Sequence, residues 1–241
     1  MKKFILLILS LISLGLLSSC HNTPGPVGPE GEKGDPAYKE VVITTYKDTY
    51  LYLEQENNKT PQGKKKYLTL GCDPEKPSIS RTLLAFDLER DKFSDINKKV
   101  IVIQAILSLY IREFSPNQDN FATYEVYPII GGWREESSYW EHDPLYDPKD
   151  LYAPEYLLAN FTLRMNNYHR VDIYLDTGYI SNKFDNNSYY GSCIGILIKD
   201  KLEQGDLEQQ DLTSSYVSVY SREYEEDNTK QPTLRIIYKE E

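Results

Sequence analysis

From Tyr38 onward the chain consists of short apolar runs, rich in β-branched and aromatic residues and broken by polar turn clusters, which is the pattern of strands. The runs Val41–Tyr46, Tyr50–Leu53, Tyr67–Leu70, Thr82–Leu88, Val100–Ile111 and Tyr124–Tyr127 are expected strands, followed by Leu157–Leu163, Val171–Leu175, Ile194–Ile198, Tyr216–Tyr220 and Thr233–Tyr238. Thr82–Leu88 and Val100–Ile111 are almost continuously apolar and read as central strands, whereas Tyr124–Tyr127 alternates and should keep one wet face. No sustained helical period with caps is present; one helical turn is expected near Ile180–Phe184. Nothing is long enough for crossover helices, so the pattern predicts an all-β, antiparallel β-sandwich rather than a parallel sheet. Asn57–Gly63, Phe114–Asn120 and Trp133–Pro154 are the expected long loops. The last is the longest, and loops of that length usually carry function or are disordered.

The first residues follow another pattern. Lys2 and Lys3 precede an apolar run from Phe4 to Leu17, closed by Leu17-Ser18-Ser19-Cys20. The run is too short for a stable bilayer span, and a basic flank with small residues before the cut describes a secretory signal. A Cys after Leu-Ser-Ser resembles the bacterial lipobox, which implies a signal peptide over 1–19, acylation of Cys20 and a mature chain held to a membrane by more than one acyl chain. A bacterial outer membrane or cell surface is the expected location. Between Gly25 and Pro36 stand four Gly-X-Y triplets in register. This collagen-like tether, within residues 20–37, reads as a spacer of about 35–40 Å if extended at ~3.1 Å per residue. A short triple helix that makes a trimer is the alternative, and a monomer is favoured. The domain itself then spans 38–241.

Charge narrows the partners. The formal net charge is −10, and loss of residues 1–19 removes two lysines and no acids, leaving −12. Nucleic-acid binders need basic faces, so nucleic acid is not an expected partner. With Cys20 lipidated, only Cys72 and Cys193 remain. An exported location permits a disulfide between them, but Cys193 in the apolar run to Ile198 also reads as a small buried residue.

Several local patterns, in order, resemble the DNRLRE-domain family, which overlaps alginate-type carbohydrate-binding modules. Asp48-Thr49-Tyr50-Leu51 is similar to that family's opening, and Asn57-Asn58, Gly63 and Tyr67–Gly71 to the stretch that follows. Arg81–Leu88 and Ala105–Ile111 resemble its most recognisable strands, Tyr127, Trp133, Glu135 and Trp140 its aromatic passage, and Pro232–Tyr238 its close. The run Tyr139–His142 departs from the pattern, and residues 142–156 look like added loop. The resemblance implies a jelly-roll-like sandwich that binds polysaccharide, here with no enzyme domain beside it.

Candidate chemistry is sparse. Beyond His21 there are only His142 and His169, with no metal-ligand spacing, nucleophile elbow or phosphate loop. Acid pairs such as Glu135-Glu136 read as solvated surface, so no enzymatic activity is expected. Trp133 and Trp140 are either sugar platforms or core plugs; the family match favours the plug for Trp133 and leaves Trp140 open. Tyr139, Tyr146, Tyr152 and Tyr156 cluster along the long loop as ligand candidates, while Tyr50, Tyr52, Tyr110 and Tyr127 read as half-buried packing. Lys64-Lys65-Lys66, with Arg81, could grip an acidic sugar; otherwise the lysines guard an edge strand and Arg81 braces the core, against an acid such as Asp87. A structural Ca²⁺ is a further expectation from the resemblance, with Asp48 and Asp87 as ligands and Asp185-Asn186-Asn187 as the alternative turn. The adhesive reading, a surface protein that binds protein or matrix, is the rival to glycan binding.

Overall fold

The computed structural model describes residues 37–54, 60–73, 78–88, 99–116, 120–140, 151–164, 169–185, 193–203 and 215–241. The signal segment, Cys20, the Gly-X-Y tether, Asn57–Lys59, Tyr146 and Asn186-Asn187 lie outside them. Residues 36–241 form one compact unit. Its strands, in chain order, are β1 (Lys39–Thr44), β2 (Lys47–Glu54), β3 (Tyr67–Cys72), β4 (Ser78–Asp87), β5 (Val100–Ser115) and β6 (Phe121–Pro128). They continue with β7 (Ala159–Arg164), β8 (Arg170–Tyr174), β9 (Cys193–Asp200), β10 (Tyr216–Tyr220) and β11 (Thr233–Glu240), and the α-helix α1 covers Thr177–Asp185. Each expected run overlaps a strand, and the expected helical turn lies inside α1. Among the described residues no helix is long and apolar enough to cross a membrane.

All pairings between the strands are antiparallel, in the order β1-β11-β5-β10-β3-β4-β9-β6-β7, with β2 added to β4 and β8 to β5. The result is one curled sheet. The long β5 carries the curl: its first half pairs with β11 and β8, its last residues with β10. Two register shifts bend it. Tyr238 pairs with Val102 and Ile237 with Gln104, which leaves Ile103 as an extra residue, 45% exposed in an otherwise buried run. Val219 pairs with Ile111 and Ser218 with Glu113, leaving Arg112 in the same position. One inserted residue per bulge increases the local twist.

Period-two alternation then divides the side chains of β4 and its neighbours between two faces. Leu84, Phe86, Leu68, Leu70, Ile194, Ile196 and Ile198 turn to the concave side and join the main core with β5, β11 and α1. Leu83, Ala85, Leu51, Leu197, Tyr127 and Ile129 turn outward, where the excursion after β6 lays Trp133 and Leu151 over them as a second core. The long loop is thus in part a cover. A fully exposed outer face would have left these apolar residues in water, at roughly 25 cal/mol per Å².

The expected first strand is interrupted. Thr45 and Tyr46 leave the β1–β11 ladder: the Thr45 N–H donates to Pro232 O at 3.0 Å and its hydroxyl to Ala85 O at 2.9 Å. The chain thereby crosses from β11 to β4, a switch that a continuous apolar run conceals.

Candidate functional site

Arg81 occupies an outward position of β4, opposite Leu51 of β2. Its Nε and Nη2 donate to Glu203 Oε1 at 2.8 and 2.5 Å, and the guanidinium lies 4.2 Å from the ring centroid of Trp140. The Glu203 side chain is 1% exposed and that of Arg81 14%, so this is a desolvated ion pair. Glu203 reaches it because the chain turns tightly after β9, with the Glu203 N–H on Asp200 O. Among the described residues the Glu203 Oε2 atom has no hydrogen-bond partner.

Beside this pair lie two tyrosines. Tyr152 bridges to Ile129 across the excursion, and its ring packs on Tyr127 at 5.2 Å. The Tyr127 hydroxyl donates to Glu125 Oε2 at 2.8 Å, and Lys199 Nζ stands 4.0 Å from the same oxygen. Burial raises the Tyr152 phenol above its ordinary range, opposed by the nearby Arg81 charge. Burial, then the bond to Glu125, pushes Tyr127 up as well. Both phenols stay protonated at neutral pH and act as hydroxyls. Three half-buried aromatic or cationic groups named from sequence, Arg81, Trp140 and Tyr152, therefore meet on one patch. Tyr139 is half-buried next to Trp140, and Tyr156 is 62% exposed further along the excursion.

Other expected constellations do not assemble. Lys64, Lys65 and Lys66 are exposed in the turn before β3, and Lys66 pairs with Glu226 at 3.0 Å. They stand at the opposite end of β3 from Gly71, which faces Ser80 next to Arg81, so lysines and arginine are roughly 17 Å apart at ~3.3 Å per residue. Beside them β3 pairs with β10 alone, because its pairing with β4 is confined to Gly71 and Cys72. Arg81 braces the sheet through Glu203, not Asp87, which lies six residues along the same strand. The calcium pair fails on register. Asp48 faces with its partner Leu84 into the main core, and Asp87 faces with Ala85 to the other side of the sheet. Among the described residues no three His, Cys, Asp or Glu converge on a metal-sized site. The Cys72–Cys193 disulfide is not formed. Cys72 pairs with Ile79 and Cys193 with Asp87, eight residues apart on β4 or roughly 26 Å, far beyond bridging reach. Trp133, 6% exposed, is the core plug, with Lys47 Nζ 3.9 Å over its ring.

Two groupings were not legible in advance. Asp48 is fully buried: Oδ2 accepts the Arg222 N–H at 2.7 Å, Oδ1 has no hydrogen-bond partner among the described residues, and the Asp48 N–H donates to Glu135 Oε1 at 2.8 Å. Arg222 Nε also approaches Glu135 at 3.3 Å and Glu223 at 2.9 Å. Burial raises the Asp48 carboxyl to about 7, against the Arg222 N–H, with the Glu135 charge adding to the rise. The second is a ring cluster of Tyr67, Tyr220 and Tyr224, with centroids 4.5–5.9 Å apart and Arg112 4.3 Å over Tyr67. Its members come from β3, β10 and the following turn, so only the β3–β10 register brings them together.

Compared with known proteins, no family model matches the chain and no curated protein matches it, so the resemblance to DNRLRE-type modules rests on its own string of motifs.

Proposed function

We propose that this is a bacterial surface lipoprotein, acylated at Cys20, whose jelly-roll-like domain binds polysaccharide without cleaving it. The observation that carries the reading is the meeting of Arg81, Trp140 and Tyr152 on one patch from three separate parts of the chain. Half-buried aromatic rings next to fixed polar groups suit the alternating C–H faces and hydroxyls of a sugar chain. The Gly-X-Y segment is the spacer in this reading, and the protein acts as a monomer. A glycan array probed with the full chain, in a detergent without a sugar head group, tests it. Binding to at least one polysaccharide is expected, with a loss of about tenfold or more in Trp140→Ala; a base stacked on an aromatic ring loses a comparable amount on truncation.

One observation favours the adhesive alternative. Ile130, Tyr156 and Leu157, all on the excursion, are 64%, 62% and 45% exposed, and exposed apolar residues in number mark protein-binding surfaces. A silent array together with capture of a matrix protein by the wild type, lost in Ile130→Ser with Tyr156→Ser, would support that reading instead.

A further inference from the structure

Where β6 begins and β9 ends there is a cavity of about 310 Å³. Phe121 and Leu202 stand at its rim, 42% and 52% exposed, while Asp200 and Ser215, at 3% and 1%, line it from within. Asp200 sits opposite Tyr124 in the β6–β9 register. Tyr124 is fully buried and its hydroxyl bonds to Ser215 Oγ at 2.7 Å, which in turn reaches Asp200 Oδ2 at a long 3.4 Å. Asp200 Oδ1 accepts the Leu202 N–H at 2.8 Å. Among the described residues no lysine, arginine or histidine forms an ion pair with Asp200.

We propose that this cavity binds a primary ammonium group carried on a short apolar arm, with Asp200 as its counter-ion and Phe121 and Leu202 as its apolar walls. The site is separate from the Arg81–Trp140 patch, and the inference does not depend on the polysaccharide reading. A nearly buried carboxylate with one strong hydrogen bond and one long one among the described residues keeps acceptor capacity that these residues do not use, and an ion-paired ammonium is the partner that offsets its desolvation best. The volume falls at the small end of ligand pockets. The rim gives methylene groups a surface to cover, as the apolar stem of a lysine does. Gly71 lets the backbone carrying Ser215 come close: a Cβ there would lie 2.0 Å from Ser215 O and 3.4 Å from Asp200 Oδ2.

Charge around the carboxylate sets the pH behaviour. Burial raises Asp200 to about 6, with the Leu202 N–H and the Ser215 hydroxyl opposing the rise, Glu203 adding to it and Lys199 reducing it; Lys201 lines the rim and Tyr124 carries a neutral phenol. Above that value the carboxylate is charged and the pocket attracts a cation; below it the attraction is lost.

The test is isothermal titration of the full chain, in a detergent without a sugar head group, with three amines and their neutral twins. The pairs are n-butylammonium and n-butanol, glucosamine and N-acetylglucosamine, and Nα-acetyl-lysine methylamide and its Nε-acetyl derivative. At least one amine should bind about tenfold or more tighter than its twin, the usual gain of a charge-assisted bond. Which amine wins separates an amino sugar, a free alkylamine and a lysine side chain as sources. The preference should disappear on going from pH 7.5 to pH 5, and in Asp200→Asn, which retains an acceptor for the Leu202 N–H. Trp140→Ala should leave it intact, so failure of the polysaccharide reading and failure of this one give different results. Equal binding of twins, an amine preference that persists at pH 5, one that persists in a folded Asp200→Asn, or no amine bound at 50 mM would each overturn the proposal; the pH series serves if that variant does not fold.

Discussion

Replacing Asp48 with Asn should stabilise the protein more at alkaline than at acid pH, and the slope is set by burial. Asp48 is 0% exposed with one oxygen unpartnered among the described residues, and desolvation holds its folded value at about 7 against an ordinary 3.8. In the unfolded chain the carboxyl ionises near 4, so between there and 7 the folded state binds a proton that the unfolded state has lost. Stability from this group is therefore greatest below pH 4 and declines as pH rises to about 7. From pH 5 to pH 8 the protein crosses two of those units, about 3 kcal/mol at ~1.4 kcal/mol each, or about 6–12 °C in Tm for a domain of this size. Water entering around the ionised group would reduce the figure, so it is an upper value. The assay is urea unfolding of wild type and Asp48→Asn at both pH values. Asp200 shifts in the same direction and Asp172 in the opposite one, but both are present in each protein and cancel in the comparison. The advantage of Asp48→Asn over wild type should grow by about 3 kcal/mol from pH 5 to pH 8. A difference flat within about 1 kcal/mol would mean that Arg222 holds Asp48 ionised throughout, and the dominance of burial would be refuted.

Two further outcomes follow from the geometry. Gly71→Ala should cost at least about 2 kcal/mol in urea unfolding, because φ is +85° and the new Cβ would lie 2.0 Å from Ser215 O. Arg81→Met should cost about 3–5 kcal/mol by leaving the Glu203 carboxylate buried without its cation, and the double variant with Glu203→Met should recover most of that loss; a double variant as unstable as the single would show that the guanidinium's packing on Trp140, not the ion pair, supplies the stability.

The strands were legible because β-branched and aromatic runs between turn clusters carry their own signal at short range. The helix was half legible: Ile180 and Phe184, both buried against the main core, showed a helical spacing, whereas Thr177–Tyr179 needed the Asp176 carboxylate that accepts the Tyr179 N–H at 2.7 Å to begin the turn. What escaped was the break at Thr45-Tyr46, since both residues belong by type in a strand and only the partners Pro232 and Ala85 separate them from it. The two bulges in β5 escaped for the same reason: Ile103 is as apolar as its neighbours, and its exposure is decided by the register against β11.

The site was harder to read than the fold, because period-two patterning states which way a side chain faces but not what meets it there. Arg81 shares a face with Leu83, Ala85 and Asp87, so Asp87 is the natural partner by pattern, yet six residues of extended chain place it roughly 20 Å away. Glu203, 122 residues distant in sequence, arrives instead through the turn after β9, and Trp140 arrives through the excursion after β6. This changes what the patch can hold. Two of the five N–H donors of Arg81 go to Glu203 and one side of its plane lies on Trp140, so the buried carboxylate already balances its charge and the pair has little net charge left with which to hold an acidic sugar. The lysines that were to assist it stand at the far end of β3. A glycan on this patch therefore meets aromatic edges and tyrosine hydroxyls more than positive charge, in a domain already strongly acidic, and uncharged polysaccharides are the ones it should retain over uronates.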